Sequence, residues 1–222
     1  MREDTVKIAL ASSEQVTALW TRSDESEGET LFAYAPGSGS NLHDPFGAFL
    51  ASELARQAIQ CLRFQFPYME AGRKAPDRNP VLESAWLAAI AMAQRLSEHV
   101  VVGGRSMGGR IASQVVAQGA QVDCLALFAY PLHPPGRPDR LRDEHLPSIT
   151  VPTLFCSGTR DTFGSSEELR TAASLVTSSK LHLMAGADHG FNVLKSSGRV
   201  RADAWAEAVT ALMSFLRTSP ND

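Results

Sequence analysis

The stretch VVVGGRSMGGRIAS (residues 100–113) decides how this chain is interpreted. It opens with β-branched residues, which are typical of a buried strand, and closes with apolar residues at helical spacing. Between them, residues 104–108 read Gly-Arg-Ser-Met-Gly, with a further glycine on each side. Small residues allow a strand to turn sharply into a helix, so that Ser106 stands exposed at the tip of the turn. The stretch therefore predicts a reactive serine at the end of a strand.

Two other interpretations of this turn are possible. Ser106 could be a purely structural turn residue, and a glycine-rich turn before a helix could bind phosphate, because helix N-termini attract anions. A phosphate loop of the Walker type, however, requires lysine and then serine or threonine after its last glycine. Here Arg110 and Ile111 follow Gly109, which disfavours the phosphate loop.

Composition and length predict one globular domain with a large core over residues 1–222. The chain is 44% hydrophobic and 20% charged, and no linker or repeat divides it. Its formal net charge of −3 provides no basic field for nucleic acid and no polybasic patch for a membrane, so neither partner is predicted. The sequence leaves the oligomeric state open.

The cysteines and the N-terminus predict a cytoplasmic protein. Each cysteine (Cys61, Cys124 and Cys156) lies in its own apolar run without a CxxC pair, so burial in a reducing compartment is expected. The first ten residues lack the apolar core of a signal peptide, and no apolar run reaches membrane-spanning length. No metal-ligand spacing is present, so neither a metal nor another cofactor is predicted.

Apolar β-type runs alternate with segments of helical periodicity along the whole chain. This alternation is typical of βαβ units, and it predicts an α/β fold with a mainly parallel central sheet flanked by helices on both faces. Strands are predicted at residues 5–11, 15–20, 30–35, 60–66, 99–104, 122–130, 151–158 and 179–185. Helices are predicted at residues 44–59, 80–96, 165–176 and 202–217, and after the serine turn.

Two polar residues downstream complete a candidate for nucleophilic catalysis. A serine needs a base. Asp161 comes just after one predicted strand, and His189 follows the next. Because parallel strands end at the same edge of a sheet, both are expected near Ser106. Asp188 competes with Asp161 but adjoins the base in sequence, where it is poorly placed to orient it. Five other histidines lie outside this arrangement: His43, His99, His133, His145 and His182.

Five stretches carry a resemblance to a known family. They are PGSG (36–39), FPYMEAGRKAPDR (66–78), GRSMGGR (104–110), YPLHPPG (130–136) and GTRD (158–161). On these stretches the chain resembles small lidless serine α/β-hydrolases of the dienelactone-hydrolase type, and closely resembles a bacterial group of predicted hydrolases with the same serine turn. The resemblance implies the α/β-hydrolase fold without a cap domain. It also implies the chain order Ser, Asp, His that the candidates follow.

The same resemblance implies a role for each candidate residue. Ser106 would be the nucleophile, His189 the base, and Asp161 the group that orients the base. The oxyanion hole would use the backbone N–H of Met107 and that of Ser38, with Gly39 as the alternative second donor. Pro36 stands where many relatives have histidine, but a backbone donor tolerates that change.

Other residues near this edge are assigned more loosely. Tyr68 and His133 are expected to contact substrate, and Phe191 either to contact substrate or to pack beneath the site. Arg105 could bind a substrate anion or pair with a buried carboxylate below the turn. The second is favoured, because the residue before the serine is expected to point away from the pocket. The arginines of the 67–80 and 131–150 loops are expected to form an ion-paired, solvated rim.

The predicted function is hydrolysis of small carboxylic esters by a serine hydrolase of the carboxylesterase type through an acyl-enzyme. Two alternatives remain. One is a non-catalytic binding or scaffold protein on the same fold, since fold alone does not fix function. The other is related acyl chemistry, as in a peptidase or an acyltransferase. The proline-rich 131–150 loop is expected to be a stiff, low rim, which favours short acyl groups.

Overall fold

The central sheet is built from strands that the sequence pattern locates within a few residues. The computed structural model describes residues 1–24 and 28–218. Within these residues the eight predicted strands form one sheet. Their bounds are β1 Arg2–Ala9, β2 Gln15–Arg22, β3 Thr30–Ala35, β4 Gln60–Phe64, β5 His99–Arg105, β6 Cys124–Phe128, β7 Thr153–Gly158 and β8 Ser179–Met184.

Six α-helices accompany these strands in the described part of the chain. Their bounds are α1 Pro45–Ala55, α2 Pro67–Glu70, α3 Asn79–Leu96, α4 Met107–Ala117, α5 Ser166–Ser174 and α6 Arg201–Thr218. The short helix α2 is absent from the sequence-based prediction, because four residues are too few to show helical periodicity. Pro67 begins it, at the helix position where the missing backbone N–H of proline costs least.

The strand order across the sheet is β1-β2-β4-β3-β5-β6-β7-β8. β1 and β2 form the predicted antiparallel opening pair, and β2 runs antiparallel to β4, whereas the other neighbours are parallel. β1 begins earlier than predicted because its ladder with β2 extends from Arg2 opposite Arg22 to Ala9 opposite Gln15. Strands β5, β7 and β8 end at one edge, where Ser106, Asp161 and His189 follow them.

Helices cover both faces of the sheet, as predicted. On one face α3, α4 and α5 bury Trp86, Ile111 and Leu169 against the strands. On the other face α1 and α6 bury Phe46 and Leu212. All three cysteines are buried, as the sequence indicates. These two cores hold the strands rigidly and thereby fix the ends from which the candidate site is built.

No cap domain interrupts the sheet. Between Phe128 and Thr153, a segment that is described throughout, the structure has a loop with one 3₁₀ turn at Leu146–Ser148. None of the described helices combines the length and the apolar character needed to cross a bilayer.

Candidate active site

The turn after β5 holds Ser106 in a conformation that side chains rarely adopt. Its φ is +52° and its ψ is −120°, outside the common regions for a residue with a Cβ. The backbone N–H of Ser106 donates to the Phe128 carbonyl at 2.8 Å, which ties the turn to β6. Such stored strain is characteristic of functional turns between a strand and a helix.

Two glycines make this turn possible. A Cβ on Gly104 would lie 2.3 Å from the Ala35 carbonyl oxygen, and one on Gly108 would lie 2.1 Å from the same atom. Both distances are shorter than real contacts, so only glycine fits where the turn crosses the end of β3. The Trp86 indole N–H donates to the Gly108 carbonyl at 3.0 Å and braces the start of α4.

The structure brings Ser106, His189 and Asp161 into one hydrogen-bonded chain. His189 Nε2 lies 2.9 Å from Ser106 Oγ. His189 Nδ1 lies 2.8 Å from Asp161 Oδ2 and 3.0 Å from Oδ1. These distances are those of a nucleophile bonded to a base that is in turn oriented by a carboxylate. The three residues come from three different strand ends and are up to 83 positions apart in sequence.

Asp161, and not Asp188, faces the histidine ring. The Asp161 side chain is fully buried, and its Oδ1 also accepts a hydrogen bond from the Phe163 N–H at 2.8 Å. Asp188 Oδ1 instead accepts from the backbone N–H groups of Gly190 and Asn192, both at 2.8 Å. Asp188 therefore organises its own loop.

Phe163 is a site residue that the sequence reasoning missed. Its ring stacks on the His189 imidazole, with 4.1 Å between ring centroids and 26° between planes. It also lines the cleft in front of Ser106. The contact restricts rotation of the imidazole and shields one of its faces. One indication of this role was available in the sequence, which is that Phe163 lies two residues after Asp161.

The loop after β3 passes directly beside Ser106. A Cβ on Gly37 would lie 3.4 Å from that of Ser106. Ser40 N–H donates to the Gly37 carbonyl at 3.1 Å, which closes a turn with Ser38 and Gly39 at its centre. Ser38 lines the cleft together with Ser106 and Met107. Within the described residues, the backbone N–H groups of Ser38 and Met107 have no protein acceptor.

Tyr68 supports this loop from behind. Its hydroxyl donates to the Ser38 carbonyl at 3.0 Å, and its side chain is almost fully buried. Burial, and then the charge of Asp77, raise the pKa of Tyr68 to about 12, so the hydroxyl stays protonated as a donor. Tyr68 is thus positioned to orient the Ser38 peptide.

Arg105 points away from the cleft, as the sequence indicates. Its guanidinium lies 3.8 Å from Asp44 Oδ1, and the Asp44 side chain is buried. Asp44 also accepts hydrogen bonds from Tyr34 Oη at 2.5 Å and from Ser40 Oγ at 3.1 Å. The group therefore links the base of the serine turn to the loop after β3.

The structure corrects the expectation of substrate contact for His133 and Phe191. Phe191 is fully buried and packs edge-to-face on Phe46, with ring centroids 5.2 Å apart, so it belongs to the core. The His133 ring is also buried, its Nε2 3.5 Å from Glu168 Oε2, and it anchors the loop to α5. Both residues follow strands at the correct edge, but their side chains turn inward.

The cleft above Ser106 is small, with a volume of about 220 Å³. The loops at 67–80 and 131–150 form its rim, as expected. The cleft lining consists of Ser38, Pro76, Asp77, Asn79, Leu82, Ser106, Met107, Arg110, Pro131, Arg142 and Phe163. A larger groove of about 430 Å³ lies between β8 and α6, but it holds neither Ser106 nor His189.

The rim arginines divide into two kinds. Arg73 pairs with Asp77 at 2.6 Å and Arg137 with Asp139 at 3.2 Å, which confirms the predicted ion-paired rim for these two. Arg142 departs from that prediction, because its guanidinium donates to the Pro131 carbonyl at 3.0 Å and lines the cleft.

Solved structures with the same fold match this chain over nearly its full length. Est1E from Butyrivibrio proteoclasticus, with ferulic acid bound, has a TM-score of 0.79 at 13% identity and covers 96% of this chain and 100% of its own. A dienelactone hydrolase from Anabaena variabilis has a TM-score of 0.71 at 19% identity, covering 96% and 97%. A serine hydrolase without a lid from Xanthomonas campestris has a TM-score of 0.75 at 14% identity, covering 99% and 98%.

These likenesses establish the α/β-hydrolase fold without a cap. A sequence model of the alpha/beta hydrolase domain matches residues 28–217. The match includes β3, the serine turn and both strand ends that carry Asp161 and His189. This chain therefore belongs to the alpha/beta hydrolase domain family.

Proposed function

We propose that this protein is a serine hydrolase that cleaves small carboxylic esters through an acyl-enzyme. The observation that carries the proposal is the hydrogen-bonded chain from Ser106 Oγ through His189 to the buried Asp161. Serine is a weak nucleophile by itself, and this arrangement is the known way to activate it.

In the proposed reaction His189 Nε2 removes the proton from Ser106 Oγ as the oxygen attacks the ester carbonyl. Asp161 holds Nδ1–H and stabilises the imidazolium that forms. The Ser38 and Met107 N–H groups donate to the oxyanion, an interaction that is often the largest single contribution. His189 then gives the proton to the leaving alcohol. Water attacks the acyl-enzyme by the same route and releases the acid.

The small cleft and low rim favour short acyl groups over long ones. The esterases and the dienelactone hydrolase among the similar folds are consistent with ester chemistry. The alternative of a binding or scaffold protein has no need for the strained φ of Ser106 or for a base within 2.9 Å of its hydroxyl. Peptidase and acyltransferase activities would use the same three residues and are distinguished by substrate.

The test is covalent labelling by a fluorophosphonate together with hydrolysis of 4-nitrophenyl acetate. The wild-type protein should react and hydrolyse, and Ser106→Ala should do neither while it keeps its circular dichroism spectrum and melting temperature. Ser178→Ala is the control, since Ser178 is exposed and lies outside the cleft lining. Equal labelling of the Ser106→Ala protein would exclude Ser106 as nucleophile.

A further inference from the structure

Two guanidinium groups line the cleft in front of Ser106, and the ester chemistry proposed above makes no use of either. Arg110 lies one helical turn beyond the nucleophile, and its backbone N–H donates to the Ser106 carbonyl at 3.0 Å. Arg142 comes from the loop between β6 and β7. Both side chains lie in the same cleft lining as Ser106 and the Ser38 and Met107 backbone.

Neither guanidinium is neutralised by a carboxylate. Among residues 1–24 and 28–218, no Asp or Glu oxygen lies within 4.0 Å of Arg110 or Arg142. Arg110 donates to the neutral Gln114 amide oxygen at 3.3 Å, and Arg142 to the Pro131 carbonyl at 3.0 Å. A guanidinium has five N–H donors, so most donors of each group remain for another acceptor.

The two charges also destabilise one another. Burial lowers the pKa of Arg110, and the neighbouring charge of Arg142 lowers it further. Burial likewise lowers the pKa of Arg142. Two half-buried like charges are unfavourable unless an anion joins them. A bound anion would therefore be stabilised at this wall of the cleft.

The other ionisable groups nearby offset this charge only in part. The charge of Glu83 raises the pKa of Arg110, but the two side chains form no ion pair within 4.0 Å. Asp77 is the carboxylate in the cleft lining, and Arg73 pairs with it at 2.6 Å. His145 lies behind Arg110, with its Nε2 2.7 Å from Ser113 Oγ. Burial, and then the charge of Arg110, lower the pKa of His145 to about 4, so it is neutral near pH 7. The two guanidiniums leave the cleft cationic beside the nucleophile.

We propose that the substrate is an acidic ester, whose carboxylate Arg110 and Arg142 bind while Ser106 attacks its ester carbonyl. This inference rests on the ester hydrolase function proposed above. Arg110 follows Ser106 by about one helical turn and both line the same cleft of about 220 Å³, which favours a short spacer between the carboxylate and the ester carbonyl. Half-esters of short dicarboxylic acids have such a spacer. Guanidinium groups bind carboxylates strongly through paired N–H donors.

The first experiment compares two substrates that differ only in the carboxylate. They are 4-nitrophenyl butyrate and mono-4-nitrophenyl glutarate, in which the acyl chain ends in a carboxylate. The wild-type protein should have the higher kcat/KM for the glutarate ester, and added salt should reduce this preference because salt screens charge. Arg110→Gln and Arg142→Gln should each lower the glutarate-to-butyrate ratio by about tenfold, the usual effect of losing a charged hydrogen bond.

Arg140→Gln is the matched control, because Arg140 lies in the same loop as Arg142, is exposed and lies outside the cleft lining. It should leave both rates and their ratio unchanged. An unchanged ratio in Arg110→Gln and Arg142→Gln would overturn the proposal. So would an equal loss for both substrates, since that result would show a structural role for these arginines.

A binding measurement separates this inference from the proposed function. Calorimetry with glutarate and the Ser106→Ala protein requires no turnover, and glutarate should bind about tenfold more weakly when Arg142→Gln is added. Glutarate binding without ester hydrolysis in the wild type would contradict the proposed hydrolase function and support the proposed anion site. The proposed anion site would be contradicted if both esters are hydrolysed equally well and glutarate does not bind. That result would still support the proposed hydrolase function.

Discussion

The Tyr68 hydroxyl donates a hydrogen bond to the backbone carbonyl of Ser38 at 3.0 Å. This contact joins the short helix α2 to the loop that carries the proposed second oxyanion donor. The bond fixes the direction of the carbonyl between Ser38 and Gly39, next to the Ser38 N–H, while Ser40 N–H bonds the Gly37 carbonyl on the other side. The sequence predicts that Tyr68 contacts substrate. Because its hydroxyl bonds the Ser38 carbonyl and its side chain is buried, we propose that it acts as a positioning residue.

Tyr68→Phe should therefore lower kcat about tenfold while KM changes little. The oxyanion forms only as the carbonyl is attacked, so a misplaced Ser38 N–H weakens the transition state more than substrate binding. The rate of fluorophosphonate labelling should fall in parallel with kcat. If KM rises while kcat stays constant, Tyr68 acts through contact with substrate.

The carboxylate that orients His189 can be identified by paired substitutions. Asp161→Asn should lower kcat by roughly three to four orders of magnitude, because an amide favours the wrong imidazole tautomer without changing the geometry. Asp188→Asn should cost far less, since Asp188 accepts from the Gly190 and Asn192 backbone and not from the ring. Steady-state kinetics on one ester would measure both. The reverse pattern would transfer the role to Asp188.

The rim predicts a preference for short acyl chains. The cleft of about 220 Å³ buries little apolar surface, and each Å² contributes only about 25 cal/mol to binding. Among neutral 4-nitrophenyl esters from acetate to palmitate, kcat/KM should be highest at the short end, with no increase in rate above the micelle threshold. A steady rise with chain length would reveal a longer apolar channel or a mobile lid.

Glu70 at the end of α2 predicts how stability depends on acid. Burial raises the pKa of Glu70, but hydrogen bonds from Gln65, from Thr17 and from Lys7 outweigh it and lower the pKa to about 2. Because this pKa is lowered in the fold, the ionised carboxylate stabilises the fold at pH values above the ordinary glutamate pKa of 4.5. That contribution is lost as the pH falls from 4.5 towards 2.

Glu70→Gln should therefore lower the free energy of unfolding by about 1–2 kcal/mol at pH 6, and by progressively less below pH 4.5. Urea unfolding at several pH values measures the difference. Glu144→Gln, at an exposed position, is the control and should show no such trend. A difference between wild type and Glu70→Gln that is the same at pH 6 and pH 3 would contradict the prediction.

Much of the fold could be predicted from local pattern, because the signals were local. The eight strands and the five long helices follow from apolar periodicity. The observed ends differ from the predicted ones by up to four residues. Partner strands set the ladder length of the strands, as at Arg2 opposite Arg22, and α1 ends at Ala55, before the predicted residue 59. Helix α2 was missed because four residues carry no period.

The candidate residues whose positions follow from the order of strands along the chain could be predicted, and the others could not. Ser106, Asp161 and His189 each follow a strand, and parallel strands bring such residues to one edge. Phe163 gave no such signal, and His133 and Phe191 gave a misleading one. Whether a side chain at a strand end faces the cleft or the core depends on the backbone turn there, such as the positive φ of +61° at Phe191.

The sequence by itself determined the layered α/β architecture, the glycine-bounded serine turn and the order of the three polar residues. Each of these features follows from short-range residue spacing or from the alternation of strands and helices along the chain. Only the tertiary structure decided that Arg142 lines the cleft beside Arg110 and does not belong to the ion-paired rim. It also decided that the Tyr68 hydroxyl bonds the Ser38 carbonyl. Such contacts join segments 30 or more positions apart, and their geometry is set by how helices and loops pack over the sheet.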